Sequence, residues 1–152
     1  MRIRSYMKKD KGSFLRLSNR LTNVDYPQYR DMEVMEIKQK QLALKSLENN
    51  KDNIFIAEVE GECIGFIEMK EKQDFFSDKI YAYVATLVVD ERAEGKGVAK
   101  RLMKHAEDWA VQWDISVLTL DVFASNNRAR QFYQHMDFEE DIIKMTKELP
   151  RK

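Results

Sequence analysis

Val89-Asp90-Glu91-Arg92-Ala93-Glu94-Gly95-Lys96-Gly97-Val98-Ala99-Lys100-Arg101-Leu102 is the stretch whose reading decides the fold, because it carries the chain from a strand into a helix. Ahead of it, Ile80 to Val89 is dense in Tyr, Val and Leu and reads as the longest strand, set within the sheet. Behind it, Val98, Leu102, Ala106, Trp109 and Trp113 recur at helical spacing beside Met103 and Ala110, giving a helix with one apolar face. The glycines between them permit positive φ and let a ligand approach the backbone closely. The first turn of a helix leaves N–H groups unpaired at the positive end of its dipole, and Lys96 and Lys100 add charge there. The turn is an anion site, and a phosphate-bearing ligand is its natural occupant.

Other phosphate motifs fit less well. A nucleotide-triphosphate loop requires Gly-Lys followed by Ser or Thr, whereas Gly97 follows Lys96. A dinucleotide fingerprint wants Gly or Ala at the place of Lys100, within a purely parallel unit. A turn that merely starts a helix gives no reason for glycines flanked by lysines.

Working outward, Arg2 to Tyr6 reads as a short strand, and Phe14, Leu17, Leu21 and Val24 recur at helical spacing before a break at Pro27. Arg30 to Asn50 reads as a second helix with two apolar groups, Met35 with Leu42 and Ile37 with Leu44 and Leu47. One face should meet the sheet; the other needs a different partner, a homodimer being one candidate. Asn53 to Val59, a turn at Glu60-Gly61 and Cys63 to Lys70 form an antiparallel hairpin. After the glycine turn and its helix, Ile115 to Phe123 reads as a strand, Ala129, Phe132, Tyr133 and Met136 mark a short helix, and a last strand runs from Phe138 towards Met145. Hairpin strands joined to parallel crossovers imply a mixed α/β sheet covered by helices.

With 152 residues the chain suits one domain, and 43% hydrophobic against 34% charged residues is an ordinary globular balance. Lys plus Arg equals Asp plus Glu at 26 each, so no global field favours nucleic acid or an anionic membrane. The lone Cys63 cannot form an internal disulfide, and no apolar run suits a signal peptide or a membrane span, so a cytoplasmic protein is expected. One Cys with His105 and His135 far apart offers no zinc arrangement, and no metal is expected.

Glu94-Gly95-Lys96-Gly97-Val98-Ala99 resembles the signature of the GNAT family of N-acetyltransferases, Gln or Arg, two residues, Gly, one residue, then Gly or Ala. It departs at Glu94, and counting from Val89 makes the apparent Arg92-x-x-Gly95-x-Gly97 register a decoy. Val84-Ala85-Thr86-Leu87-Val88-Val89 is similar to the family's bulged central strand, and Asn126-Asn127-Arg128-Ala129-Arg130-Gln131-Phe132-Tyr133 to its Asn-x-x-Ala-x-x-x-Tyr segment. The resemblance covers the whole order of elements and is strongest from Ile80 to Phe138. It implies a single domain over residues 1–152 with a mixed, mostly antiparallel sheet of about six to seven strands flanked by about four helices.

The resemblance further implies acetyl-CoA as cosubstrate. Its pyrophosphate would lie on the backbone of Gly95, Lys96, Gly97, Val98, Ala99 and Lys100, its pantetheine arm along Leu87, Val88 and Val89, and Asn126 would approach it. It implies direct attack by a neutral amine. An amine of pKa about 10.4 is only about one part in 2,500 neutral at pH 7, a deficit of roughly 4.6 kcal/mol, so a base is needed. Tyr133 is the expected acid for the leaving thiolate. For the base, the central strand offers only Ala85 and Thr86; Asp121 matches the place of a Glu in relatives that acetylate protein N-termini, and a water chain is the alternative. Asp25, Tyr26, Asp31, Glu33, Asp74 and Tyr81 fall where acceptors bind and suit a cationic amine. A peptide N-terminus as acceptor, and an acyl-CoA-binding module without catalysis, stay open.

Overall fold

The computed structural model describes residues 1–151. Its sheet has five strands in the order β1 (Arg2–Ser5), β2 (Ile54–Val59), β3 (Glu62–Gln73), β4 (Ile80–Val89) and β5 (Leu118–Leu120). Neighbours from β1 to β4 pair antiparallel and β5 runs parallel to β4, the mixed sheet that the pattern predicts and the mostly antiparallel one that the resemblance implies. The helices are α1 (Lys11–Ser18), α2 (Met32–Asn49), α3 (Val98–Gln112) and α4 (Asn127–His135).

Side-chain alternation along the strands separates two cores. Ile54, Ile56, Phe66 and Val88 pack with Phe14 and Leu17 of α1 and Ala43 of α2, Phe14 and Phe66 meeting with ring centroids 4.4 Å apart. Ala57, Ile67, Met69, Ala82 and Val84 pack on the other face with Val98, Leu102, Met103 and Ala106 of α3. Each large side chain removed from water here contributes roughly 1.5–3 kcal/mol. Asp31 caps α2 by accepting from the amides of Glu33 and Val34. The inward stripe of α2 is Met35, Gln39, Ala43 and Leu47, which leaves Ile37, Leu42 and Leu44 exposed. The two expected apolar groups do not each form one face, because a small residue, Ala43, lets the helix lie close to the sheet.

Two features position the site. Opposite β3, Thr86 pairs with Glu68 and Val84 with Met69, so Ala85 is the extra residue of a bulge in β4. Beyond it, β4 continues to Val89 while its ladder with β5 is confined to Ala82–Val84 against Leu118–Leu120. The backbone of residues 85–89 has no strand on that side.

Two expected strands are corrected. The strand expected over Ile115 to Phe123 is paired only from Leu118 to Leu120, and the next residue, Asp121, reaches Tyr83 through its side chain. The strand expected from Phe138 towards Met145 is absent from the sheet: Phe138 packs against Tyr133, but Ile142 and Met145 are 76% and 89% exposed. A three-residue β5 offers little edge to pair with, and Glu139-Glu140-Asp141 interrupts any alternation. The sheet thus has five strands, not six or seven.

Candidate active site

At the end of β4 the Asp90 carboxylate accepts from the Arg92 amide and starts a short 3-10 turn, Glu91–Ala93. Gly95 and Gly97 follow with φ of 76° and 79°, the left-handed region, and Gly97 is the N-cap of α3. A Cβ added at either glycine would meet nothing within 4 Å, so the space above the turn is open. Val98 is buried and fixes the helix start to the core, while Lys96 and Lys100 are exposed beside it. The first amides of α3 have no carbonyl one turn back and face this opening.

Glu94, the departure from the signature, is occupied. Its carboxylate takes Nη2 of Arg20 at 2.7 Å and Nη1 of Arg128 at 2.9 Å, and those two bonds hold its pKa below the usual range. The acid therefore draws one guanidinium from the α1–α2 connection and one from α4 to the turn. Arg20 also donates through Nη1 to the Val89 carbonyl, so of the backbone groups expected to meet a ligand, that one is already bonded. Sequence reasoning missed Arg20, which lies 74 residues from Glu94, whereas Arg128 lay inside the quoted Asn-to-Tyr segment.

Leu87 and Val89 of β4 and Phe132 and Tyr133 of α4 pack against the same α3-side core. Val88 points the other way, into the core under α1. Burial pushes the Tyr133 phenol up to about 12, and its hydroxyl makes no hydrogen bond among the described residues. Asn126 caps α4, accepting from the Ala129 amide at 3.2 Å.

Asp121 accepts the Tyr83 hydroxyl at 2.6 Å, and the Lys72 ammonium lies 3.7 Å from the centre of the Tyr83 ring. Burial, then the neighbouring carboxylate, pushes the Tyr83 phenol well above its usual range. Of the acids near the expected acceptor region, Asp31 is used by the α2 cap and Asp74 by Ser77. Tyr26 stacks edge-on against Phe123, ring centroids 5.5 Å apart. His105 stacks on Phe55, and burial lowers its pKa. His135 is exposed at the end of α4.

Beneath α1 and α2, on the face that carries Ile54 and Phe66, lies a carboxylate that periodicity did not single out. Glu68 is 2% exposed, accepts one hydrogen bond, from Asn50 Nδ2 at 2.9 Å, and has no cation within ion-pair distance among the described residues. Thr86 stands opposite in the ladder, and its Oγ1 is buried with no hydrogen-bond partner. The sequence held a signal for it, a single acid inside the apolar run Phe66-Ile67-Glu68-Met69.

The model of the acetyltransferase (GNAT) family matches residues 18–138. An uncharacterized N-acetyltransferase of Bacillus subtilis is 34% identical over 119 residues, covering 76% of this chain and 80% of that protein. Among solved structures, one from Pyrococcus furiosus superposes with a TM-score of 0.79 at 21% identity, covering 97% of this chain and 99% of the other. The aminoglycoside acetyltransferase AAC(6')-Iy, in complex with a CoA-containing bisubstrate analogue, does so with a TM-score of 0.70 at 20% identity, covering 97% and 98%.

Proposed function

The chain belongs to the acetyltransferase (GNAT) family and is an N-acetyltransferase, and from that premise we propose that it transfers acetyl from acetyl-CoA to a primary amine by direct attack, with a small cationic amine as favoured acceptor. The observation that carries this reading is the open turn with left-handed Gly95 and Gly97 at the start of α3, beside the unpaired flank of residues 85–89. The residues suit a phosphorylated, amide-containing ligand. Amides from Gly95 to Lys100, with Lys96 and Lys100, would hold the pyrophosphate. The flank of β4 from Leu87 to Val89, which no strand covers and where Arg20 already holds the Val89 carbonyl, would take the amide-bearing arm, and Asn126 would stand near it.

Bound acetyl-CoA supplies an activated acetyl thioester whose sulfur departs as a thiolate. Tyr133 holds the proton that this sulfur needs: a phenol pushed up to about 12 by burial is protonated at every physiological pH. Asp121 contributes by fixing Tyr83 through the bond to its hydroxyl, which anchors the start of the opening between β4 and β5. The cationic preference draws on the carboxylates of Asp121 and Glu68 and the phenol ring of Tyr81, the Tyr83 ring being already covered by the Lys72 ammonium. A cation over such a ring gains about 0.5–2 kcal/mol.

Thiol release from acetyl-CoA, measured across polyamines, amino sugars, amino acids and short peptides, tests the reading. Turnover with small amines is the expected result, and CoA should raise the melting temperature. A chain that binds CoA but releases no thiol in the presence of any amine is a binding module. Preference for peptides would move the acceptor to a protein N-terminus. Tyr133→Phe should lower kcat by about a hundredfold with acetyl-CoA KM little changed. Full activity in that variant removes the acid role and leaves the rest of the reading standing.

A further inference from the structure

Building on that acetyl-transfer reading, we propose that Glu68 is the group that takes the proton from the acceptor ammonium, with the Thr86 hydroxyl beside it. The carboxylate lies on the α1–α2 face of the sheet, next to the β4 bulge at Ala85. Side chains directly opposite in an antiparallel ladder have Cβ atoms about 5 Å apart, so Glu68 and Thr86 are neighbours on this face, with no hydrogen bond between them. Neither bonds the other, and only the Thr86 hydroxyl is both buried and without any partner. Asn50 satisfies Glu68 Oε2, while Oε1 accepts no hydrogen bond among the described residues and Thr86 Oγ1 is unpaired.

Buried polar atoms are nearly always partnered, so an unpaired Thr86 hydroxyl opposite a carboxylate with one unbonded oxygen marks an incomplete site. What completes it is a group with several N–H donors and a positive charge. A primary ammonium has both, and binding it neutralises a carboxylate that has no cation of its own. In the step, an N–H bond of the ammonium breaks and its electron pair stays on nitrogen. The proton forms an O–H bond at Glu68 Oε1, so a cation and an anion become two neutral groups. The amine then carries the free pair that acetyl transfer needs, and the proton passes later to water.

Glu68 also has a structural use, because Asn50 bonds both its carboxylate and the Met69 carbonyl and so ties the end of α2 to β3. Glu68→Gln separates the two roles: a glutamine oxygen still accepts from Asn50, but the side chain cannot take a proton. The experiment compares kcat/KM against pH for the wild type, Glu68→Gln and Glu68→Asp, with the CoA-induced rise in melting temperature as the check on fold and cosubstrate binding. Expected for Glu68→Gln is a fall of about a hundredfold at pH 7 that closes by about tenfold per pH unit as the unbound ammonium deprotonates in solution. Glu68→Asp should recover part of the rate.

A loss that is the same at every pH, or no loss at all, overturns the proposal. Should Glu68→Gln fail to fold, Thr86→Val decides. A merely unsatisfied hydroxyl would give a variant of unchanged rate and equal or higher stability, whereas the proposal requires kcat several-fold lower. A wild type inert towards every amine overturns the acetyl-transfer reading and this inference with it. An active wild type with an indifferent Glu68→Gln overturns the role of Glu68 alone.

Discussion

The glycine turn and the Glu68–Thr86 pair flank the same strand and are built in opposite ways. The turn works through backbone: its donors are amides of consecutive residues, its special conformations belong to Gly95 and Gly97, and the ligand space above is open. The pair works through side chains: its members are 18 residues apart and meet only through the β3–β4 register, with Glu68 and the Thr86 hydroxyl oxygen buried. Backbone chemistry survives changes of side chain as long as the conformation holds. Side-chain chemistry survives changes of local conformation only as long as the register holds.

Gly97→Val gives this contrast its hardest test. A β-branched residue at φ of 79° is a strong outlier, costing on the order of 1–3 kcal/mol wherever the turn is kept. The turn should give way before the fold does. Titration with CoA should show affinity at least tenfold weaker and most of the CoA-induced rise in melting temperature lost, while the secondary structure seen by circular dichroism is retained. Unchanged affinity would mean that the turn's conformation is not what binds the pyrophosphate.

The same contrast explains what could be read in the sequence. The turn, α3 and β4 were legible because each is a local pattern: Ile80 to Val89 is the observed span of β4, and the apolar steps of α3 match its buried face. Glu68 was not legible as a site residue, since its meaning depends on a ladder partner at Thr86 and on Asn50 at the far end of α2. The tail after α4 was over-read for a related reason. Ile142, Ile143 and Met145 have the composition of a strand, but a strand needs a neighbour, and β5 supplies three residues. Glu94 shows the converse case: a departure visible in the sequence whose consequence, two captured arginines, required the fold.

Glu94→Gln sharpens the comparison at smaller scale by asking whether a side chain matters to the backbone site at all. The carboxylate has opposing effects, holding Arg20 and Arg128 by the turn while placing a negative charge where phosphate would bind. All three side chains are partly solvated, so each ion pair contributes only about 0.2–1 kcal/mol, and a glutamine can still accept a bond from either arginine. Removing the charge should therefore win. CoA should bind about threefold more tightly at low salt, with the gain fading as salt is raised. Weaker binding would show that the hold on the arginines is the larger effect.

A last effect, on stability and not on binding, belongs to Asp90, which ties the turn to α1. Its carboxylate takes Arg92 from the approach to the turn at 3.0 Å and Arg16 from α1 at 3.3 Å. The Arg92 guanidinium foremost, with its amide and Arg16, holds the Asp90 pKa down to about 2 against burial. A pKa depressed on folding stabilises the native state at pH values above the unfolded value near 4, and that contribution fades as pH falls from about 4 to 2. An asparagine side chain at this position would still cap the 3-10 turn, so Asp90→Asn isolates the charge. After allowance for solvent screening the expected loss at pH 7 is about 1 kcal/mol, a melting temperature about 2–4 °C lower. Melting curves for both proteins should converge as the buffer is taken from pH 5 to pH 2.5. A gap that persists in acid would assign the stabilisation to packing around Asp90, and α1 would then be joined to the turn by shape and not by charge.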